Sequence, residues 1–120
     1  MYFCSQKCFC IQHFYQVIFK INILIRTNID VKTDSALLDF CKNEQIQVEV
    51  YFPIAHREAL KNSVITKMAA KYGVSAAQLC IRYGLQLGTI ALPKTANPEH
   101  MKNNADIDFV ITDGDFQTLL

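Results

Sequence analysis

Alternation of apolar and polar positions predicts the strands of this chain. In IQVEVYF (46–52) apolar residues occupy every second position, a period of two that predicts a strand, and Pro53 ends it. TIAL (89–92) is a short apolar run between Gly88 and a proline, which predicts a second strand buried on both faces. VIFKINILI (17–25) is a further candidate strand, placed before both.

Helical spacing predicts the first two helices of the chain. Asp34 fits the N-cap of a helix over 35–44, in which Leu37, Leu38 and Cys41 share one face. A second helix is expected over 58–72, followed by Gly73 as its C′ residue. Its helically spaced residues are Leu60, Val64, Ile65, Met68, Ala69 and Tyr72.

Three further helices complete the predicted order. Ser75 fits the N-cap of a helix over 76–87 that Gly88 closes. Asn97 fits the next N-cap, with Pro98 at the first helical position. Thr112 and Asp115, three residues apart, suggest a capping box that leads into DFQTLL (115–120). Strands that alternate with helices indicate an α/β fold with a parallel sheet, and so few strands cannot cover their own edges.

Composition narrows the class of protein. The chain has 120 residues, 51% of them hydrophobic, which suits one small domain. A formal net charge of +1 gives no electrostatic reason to expect a nucleic acid partner. The apolar stretch 9–25 is interrupted by polar residues and lacks the basic start and cleavage site of a secretory signal, so we expect neither a membrane span nor a signal peptide.

The cysteines suggest a reducing compartment. Five cysteines, an odd number, form no dense repeating framework, so we expect reduced thiols and a cytoplasmic location. Cys4, Cys8, Cys10 and His13 are of the types that bind zinc, but their spacing does not fit a closed zinc site, and we expect no metal. They lie in an aromatic leader that precedes the first acidic residue, Asp30.

Several motifs together resemble one family. LLDFC, VEVYFPIAH and KYGVSAAQLCIRYGLQLGTIALPKTANPEHMKNN resemble, in order and spacing, the C-terminal quarter to third of the aldo/keto reductases near the diketogluconate reductase branch. The resemblance covers about 37–120, and Ile21 and Asn22 echo the V-N-Q of the family's sixth barrel strand. It implies the C-terminal portion of a (β/α)₈ TIM barrel, incomplete, with two or three parallel strands. We therefore divide the chain into an unrecognised apolar leader, 1–20, and a partial reductase domain, 21–120.

The resemblance also implies an activity. The family consists of NADP(H)-dependent oxidoreductases that act on small-molecule carbonyls or alcohols, through a tetrad of Asp, Tyr, Lys and His from earlier strands. No segment here matches the tetrad motifs, so we expect the chain alone not to be catalytic. The alternative is a non-catalytic module that binds a nucleotide, or that pairs with another chain or a second copy through its open sheet edges.

The resemblance places cofactor contacts at the strand ends. Tyr51 corresponds to the tyrosine that stacks on the nicotinamide ring. Lys94 and Thr95 correspond to residues that contact the 2′-phosphate of the adenosine ribose, and Ala96 and Asn97 continue the same loop. Without the family context, Tyr51 would be a strand tyrosine packed on a neighbour, and the loop an ordinary solvated turn.

The following helix carries the other candidate contacts. His100 lies where many members carry an arginine that grips the 2′-phosphate, so NAD(H) remains open beside NADP(H) as the cofactor. Asn104 matches the asparagine that reads the adenine, although a polar helix end is an equally good interpretation of it. Departures from the family pattern are Phe52 for serine, Ala55 for glycine and Asn103 for glutamate.

Overall fold

The computed structural model describes residues 22–26, 34–51, 53–54 and 59–119, the first of these ranges as backbone only. Strands and helices alternate along the described chain, as the sequence pattern predicts. The elements are β1 (Asn22–Arg26), α1 (Ser35–Asn43), β2 (Gln47–Tyr51), a 3₁₀ turn (Ala59–Lys61), α2 (Ser63–Lys71), α3 (Ala76–Gln86), β3 (Ile90–Leu92), α4 (Pro98–Ala105) and α5 (Asp113–Leu119).

The three described strands form one parallel sheet in the order β1-β2-β3. The fold class is therefore α/β with an open parallel sheet, as expected. β1 begins at Asn22 and ends at Arg26, later than the candidate strand 17–25. The part of that candidate before Asn22, together with the rest of the leader, lies outside the described residues.

Helices cover one face of this sheet. Val48 and Val50 of β2 are buried against Cys41 of α1, as the alternation in that strand predicts. A larger core lies among α2, α3 and α5, where Ile65 and Leu79 are fully buried. Tyr83 of α3 also belongs to it and stacks on a ring of α5, and burial raises the pKa of its phenol.

Helix boundaries follow the predicted capping residues. The side chains of Asp34, Ser75 and Asn97 each accept a hydrogen bond from a backbone N–H in the first turn of the helix that follows. Ser75 also forms a reciprocal capping box with Gln78. Asn97 is followed by Pro98 at the first helical position, as expected. These caps are local, and the sequence alone located them.

The expected helix over 58–72 is divided in two. The structure has a 3₁₀ turn at Ala59–Lys61, and α2 begins only at Ser63. The break lies at Asn62, whose side-chain oxygen accepts the N–H of Val64 at 2.9 Å and so caps a new helix. Val64 and Leu60, expected on the buried face, are exposed at 49% and 39%.

β3 is not buried on both faces, which corrects the sequence prediction. Ile90 and Leu92 are 42% and 43% exposed. The physical reason is that helix α3 covers one face of the strand only, on the side of Ala91, while the described elements leave the other face open. An apolar run in the sequence cannot show how many neighbours its strand will find.

The expected capping box of α5 does not form. The Asp115 carboxylate accepts the hydroxyl of Thr112 at 3.0 Å, and the backbone N–H of Thr112 donates instead to the Tyr72 hydroxyl at 2.9 Å. Lys71 also donates to the same carboxylate. A tertiary contact with the end of α2 therefore replaces the local one, because Asp115 faces the stronger donors there.

Candidate functional site

The carboxyl ends of the three strands lie side by side. In the sheet register Tyr51 is opposite Arg26 on one side and Leu92 on the other. Tyr51 is the last residue of β2 and is 39% exposed, so it lies at the carboxyl end of the sheet rather than in the core. In parallel α/β folds this edge is the one that carries binding and catalytic groups.

The loop after β3 starts at this same edge. Lys94 follows Leu92 by two residues and is exposed, so its ammonium lies in the segment that leaves the strand next to Tyr51. Thr95 accepts the backbone N–H of Asn97 through its Oγ1 at 3.2 Å. Thr95 therefore shapes the turn between Lys94 and α4.

The start of α4 is closed by its own residues. Asn97 Oδ1 accepts the N–H of Glu99 at 2.9 Å, and Pro98 contributes no N–H. Glu99 also adds an acidic side chain to the first turn. The binding of an anion at this helix end would thus depend on the Lys94 ammonium more than on backbone N–H donors.

α4 carries the last two residues that the sequence predicts to contact a cofactor. His100 lies in its first turn and is exposed, two residues after Pro98. Asn104 lies one turn further on and is partly buried. Tyr51, Lys94, Thr95, Ala96, Asn97, His100 and Asn104 thus lie on a strand end, the loop beside it and the helix that this loop begins.

Sequence reasoning missed the residues that hold the segment after α4 in place. Gln78, Arg82 and Gln86 occupy every fourth position of α3 and form a polar stripe along it. Gln78 Nε2 donates to Asp106 O at 2.7 Å, and Gln86 both donates to and accepts from the backbone of Ile111. The stripe ties the segment after α4 to α3, and its four-residue spacing on an otherwise apolar helix was the available signal.

A second polar cluster lies away from the strand ends. Lys71 Nζ is 2.7 Å from Asp115 Oδ2, and Tyr72 donates its hydroxyl to the same carboxylate. The hydrogen bond from Lys71, followed by that from Tyr72, lowers the pKa of Asp115, and the carboxylate raises the pKa of Lys71. This cluster joins α2 to α5 and has a structural role.

Other predicted features fall partly outside the described residues. Cys4, Cys8, Cys10 and His13 do so entirely, and so do Phe52 and Ala55. Within the described ranges no group of three metal-ligating side chains comes together. In the same part of the chain, no helix has both the length and the apolar character needed to cross a bilayer.

Comparison with known proteins identifies related sequences. The sequence model of the aldo/keto reductase family matches residues 14–119. Glyoxal reductase of Bacillus subtilis is 35% identical over 88 residues, which are 72% of this chain and 32% of that protein. Aldehyde reductase YPR1 of Saccharomyces cerevisiae is 41% identical over 85 residues, which are 69% of this chain and 27% of that protein.

Solved structures resemble the fold over most of its length. An aldo-keto reductase from a deep-sea metagenome library of the Medee basin matches with a TM-score of 0.75 and 26% identity, over 82% of this chain and 37% of its own. Gox0644, in a mutant form bound to NADPH, matches with a TM-score of 0.76 and 31% identity, over 82% of this chain and 36% of its own. The chain thus spans about a third of the length of the proteins that it matches.

Proposed function

The chain belongs to the aldo/keto reductase family, and from that premise we propose that it forms the part of an NADP(H)-dependent carbonyl reductase that holds the cofactor. In this proposal Tyr51 stacks on the nicotinamide, and Lys94 binds the phosphate at the adenosine end. The observation that carries the proposal is the register of Tyr51 opposite Leu92, which brings both groups to one sheet edge. The likeness to Gox0644, which is bound to NADPH, supports it.

The residues at this edge fit such a cofactor. A flat ring needs an aromatic face, which the exposed Tyr51 provides, and a phosphate needs a cation, which Lys94 provides. Thr95 and Asn97 act as positioning residues, because their oxygens accept backbone N–H groups of the loop and helix. We assign Asn104 to the adenine and His100 to the ribose phosphate. The carboxylate of Glu99, next to His100, repels that phosphate.

A nicotinamide cofactor supplies a hydride, which passes to a carbonyl carbon while a proton is delivered to the oxygen. We assign to this chain the binding and orientation of the cofactor and not the proton transfer, since no segment matches the family's Asp, Tyr, Lys and His tetrad. The chain alone is therefore expected to bind the cofactor without turnover of a small-molecule carbonyl substrate. The buried thiol of Cys41 supports a cytoplasmic location for it, because thiols stay reduced there.

Binding of NADPH to the purified chain, measured by calorimetry, tests the proposal. We expect Lys94→Met to weaken NADPH binding about tenfold, which is the effect of one charge-assisted hydrogen bond. The matched control is Lys61→Met, on the 3₁₀ turn after β2, which should leave the affinity unchanged. Equal affinities for wild type and Lys94→Met would contradict the site.

Turnover is tested separately with a generic aldehyde. NADPH consumption by the chain alone should stay at background, and consumption above background would contradict the assignment of binding without proton transfer. A second candidate function is a non-catalytic interaction module. The exposed Ile90 and Leu92 on β3 favour it. A mass that rises with concentration in light scattering, together with no NADPH binding, would support this candidate against the first.

A further inference from the structure

Helix α4 carries two of the proposed cofactor contacts, His100 and Asn104, but it has no buried apolar face. Asn104 is partly buried, and the other residues of α4 are exposed. A surface helix is normally held by an apolar stripe that packs on the core. The position of α4 therefore depends more on polar contacts at its ends than on apolar packing.

Gln78 of α3 makes such a contact at the C-terminal end of α4. Its Nε2 donates to the backbone oxygen of Asp106 at 2.7 Å. Asp106 is the C-cap of α4, and its N–H donates to the carbonyls of Lys102 and Asn103 in the last turn. The hydrogen bond from Gln78 therefore holds the turn of α4 that contains Asn104.

The Gln78 amide is itself fixed on α3. Its Oε1 accepts the N–H of Ser75 at 2.9 Å, and the backbone N–H of Gln78 donates to Ser75 Oγ at 3.2 Å, which completes the capping box. The capping box uses Oε1 and leaves Nε2 free to donate to Asp106. Since the next residue, Leu79, is fully buried in the core, Gln78 joins a firmly packed turn of α3 to the exposed helix α4.

We propose that Gln78 is a positioning residue for the adenine and acts through Asn104. The hydrogen bond to Asp106 holds the last turn of α4 in the place where the Asn104 amide pairs with the adenine. An asparagine amide matches N6 and N7 of adenine with two hydrogen bonds, and this pairing is lost when the helix end shifts. The inference rests on the proposed function, in which Asn104 binds the adenine.

Gln78→Glu tests the proposal, because it removes one hydrogen bond of the side chain and keeps the other. A glutamate accepts the Ser75 N–H as the glutamine does, so the capping box remains, but its carboxylate has no N–H to donate to Asp106. We expect NADPH to bind about fivefold more weakly to this variant of the 120-residue chain, as calorimetry would measure. Circular dichroism should show the helix content of wild type.

An analogue of NADPH with hypoxanthine in place of adenine separates positioning from a general loss of structure. Hypoxanthine carries an oxygen where adenine has its 6-amino donor, so it lacks the pairing with Asn104. Wild type should bind NADPH about tenfold more tightly than the analogue, and Gln78→Glu should reduce this preference to about twofold. An equal loss of affinity for both ligands in Gln78→Glu would indicate a merely structural role and would overturn the proposal.

A double-mutant cycle tests whether Gln78 acts through Asn104. In the Asn104→Ala protein, Gln78→Glu should cause no further loss of NADPH affinity, because the amide that it positions is already absent. A second, undiminished fivefold loss would overturn the proposal.

Gln86→Glu is the matched control, since Gln86 belongs to the same polar stripe of α3. Its Nε2 donates to Ile111 O at 3.0 Å, and its Oε1 accepts the Ile111 N–H at 2.8 Å, so the same substitution again removes one donor. Because Ile111 lies beyond the end of α4, both the NADPH affinity and the preference over the analogue should stay at their wild-type values. Equal effects of Gln86→Glu and Gln78→Glu would contradict a specific role of Gln78.

These measurements also separate this inference from the proposed function. NADPH binding that Lys94→Met weakens but Gln78→Glu leaves unchanged would support the cofactor site and overturn the role of Gln78. Absence of NADPH binding by wild type would contradict the proposed function, and the positioning role with it.

Discussion

Lys71 Nζ lies 2.7 Å from Asp115 Oδ2 and joins the last turn of α2 to the first turn of α5. Tyr72 and Thr112 donate hydroxyl hydrogen bonds to the same carboxylate, so Asp115 collects three donors. These donors favour its ionised form, which is why its pKa is lowered. The Asp115 carboxylate thus adds a polar attachment of α5 to α2, beside the apolar packing of α5 in the core.

This attachment predicts an acid-labile part of the stability. Because the pKa of Asp115 is lowered in the folded state, its contribution is present above the ordinary value of 3.8 and is lost as the pH falls through the lowered value. Asp115→Asn should therefore be less stable than wild type at pH 7, and the difference should shrink below about pH 4. Urea unfolding of both proteins between pH 3 and 7 measures it, and a difference that does not change with pH would contradict the role of the charge.

The ends of three helices show how well local rules predicted this fold. After α1, α2 and α3, the C′ residue is in the left-handed region, and two backbone hydrogen bonds close each helix in a Schellman motif. Gly73 and Gly88 occupy two of these positions, and glycine there was a sufficient signal. The third is Gln45, with φ 57°, which the sequence did not mark.

Gln45→Gly should therefore stabilise the protein. A non-glycine residue in the left-handed region costs about 1–2 kcal/mol, and part of that is offset by the greater freedom of glycine in the unfolded chain. We expect a gain of about 0.5–1 kcal/mol in the free energy of unfolding, measured by urea denaturation. Gly73→Ala, at the equivalent position after α2, is the matched control and should lose about 1 kcal/mol. A loss of stability in Gln45→Gly would contradict the assignment.

The features that the sequence could not predict depend on residues that are far away in the chain. Asp34 and Asn97 cap helices through atoms two residues away, so their roles follow from the local sequence. Asp115 was expected to form a capping box with Thr112 at the start of α5, but its carboxylate binds Lys71, 44 residues earlier in the chain. Ile90 was expected to be buried on the pattern of its strand, yet its exposure depends on which elements cover the sheet.

In the candidate site too, local sequence signals predict some positions, while others depend on strand pairing. The positions of Asn97 and Lys94 at the loop after β3 follow from local signals, namely an N-cap before a proline and a short apolar strand. That Tyr51 lies opposite Leu92, the last residue before this loop, depends on the pairing of β2 with β3, which are separated by two helices in the sequence. The resemblance to a family supplied this juxtaposition, whereas periodicity alone favoured an ordinary packed tyrosine.

Gly84 permits a test of the contact between α3 and β3. A Cβ built on Gly84 would lie 3.6 Å from Thr89 Oγ1 and 3.8 Å from Ala91 Cβ, which are ordinary contacts. Because glycine inside a helix costs about 0.5–1 kcal/mol relative to alanine, Gly84→Ala should raise the free energy of unfolding by about that amount. Gly84→Leu adds three more carbons against β3 and should be destabilising. Thermal unfolding compares the stability of both variants with that of wild type. A Gly84→Ala protein that melts below wild type would contradict the distances between α3 and β3.

His100 influences which cofactor the proposed site prefers. An exposed imidazole in the first turn of α4 offers neither the permanent charge nor the forked donors of a guanidinium, and Glu99 beside it repels an anion. If the proposed site binds the ribose phosphate, His100→Arg should tighten NADPH binding about tenfold and leave NADH binding within about twofold, since NADH lacks that phosphate. Glu99→Gln should act in the same direction but less strongly, because it removes a repulsion without adding donors. Titration calorimetry with both cofactors at pH 7 provides the measurement, and Lys102→Arg on the same helix is the control for a general gain from arginine. Equal improvement for NADH and NADPH in His100→Arg would show that position 100 does not face the ribose phosphate.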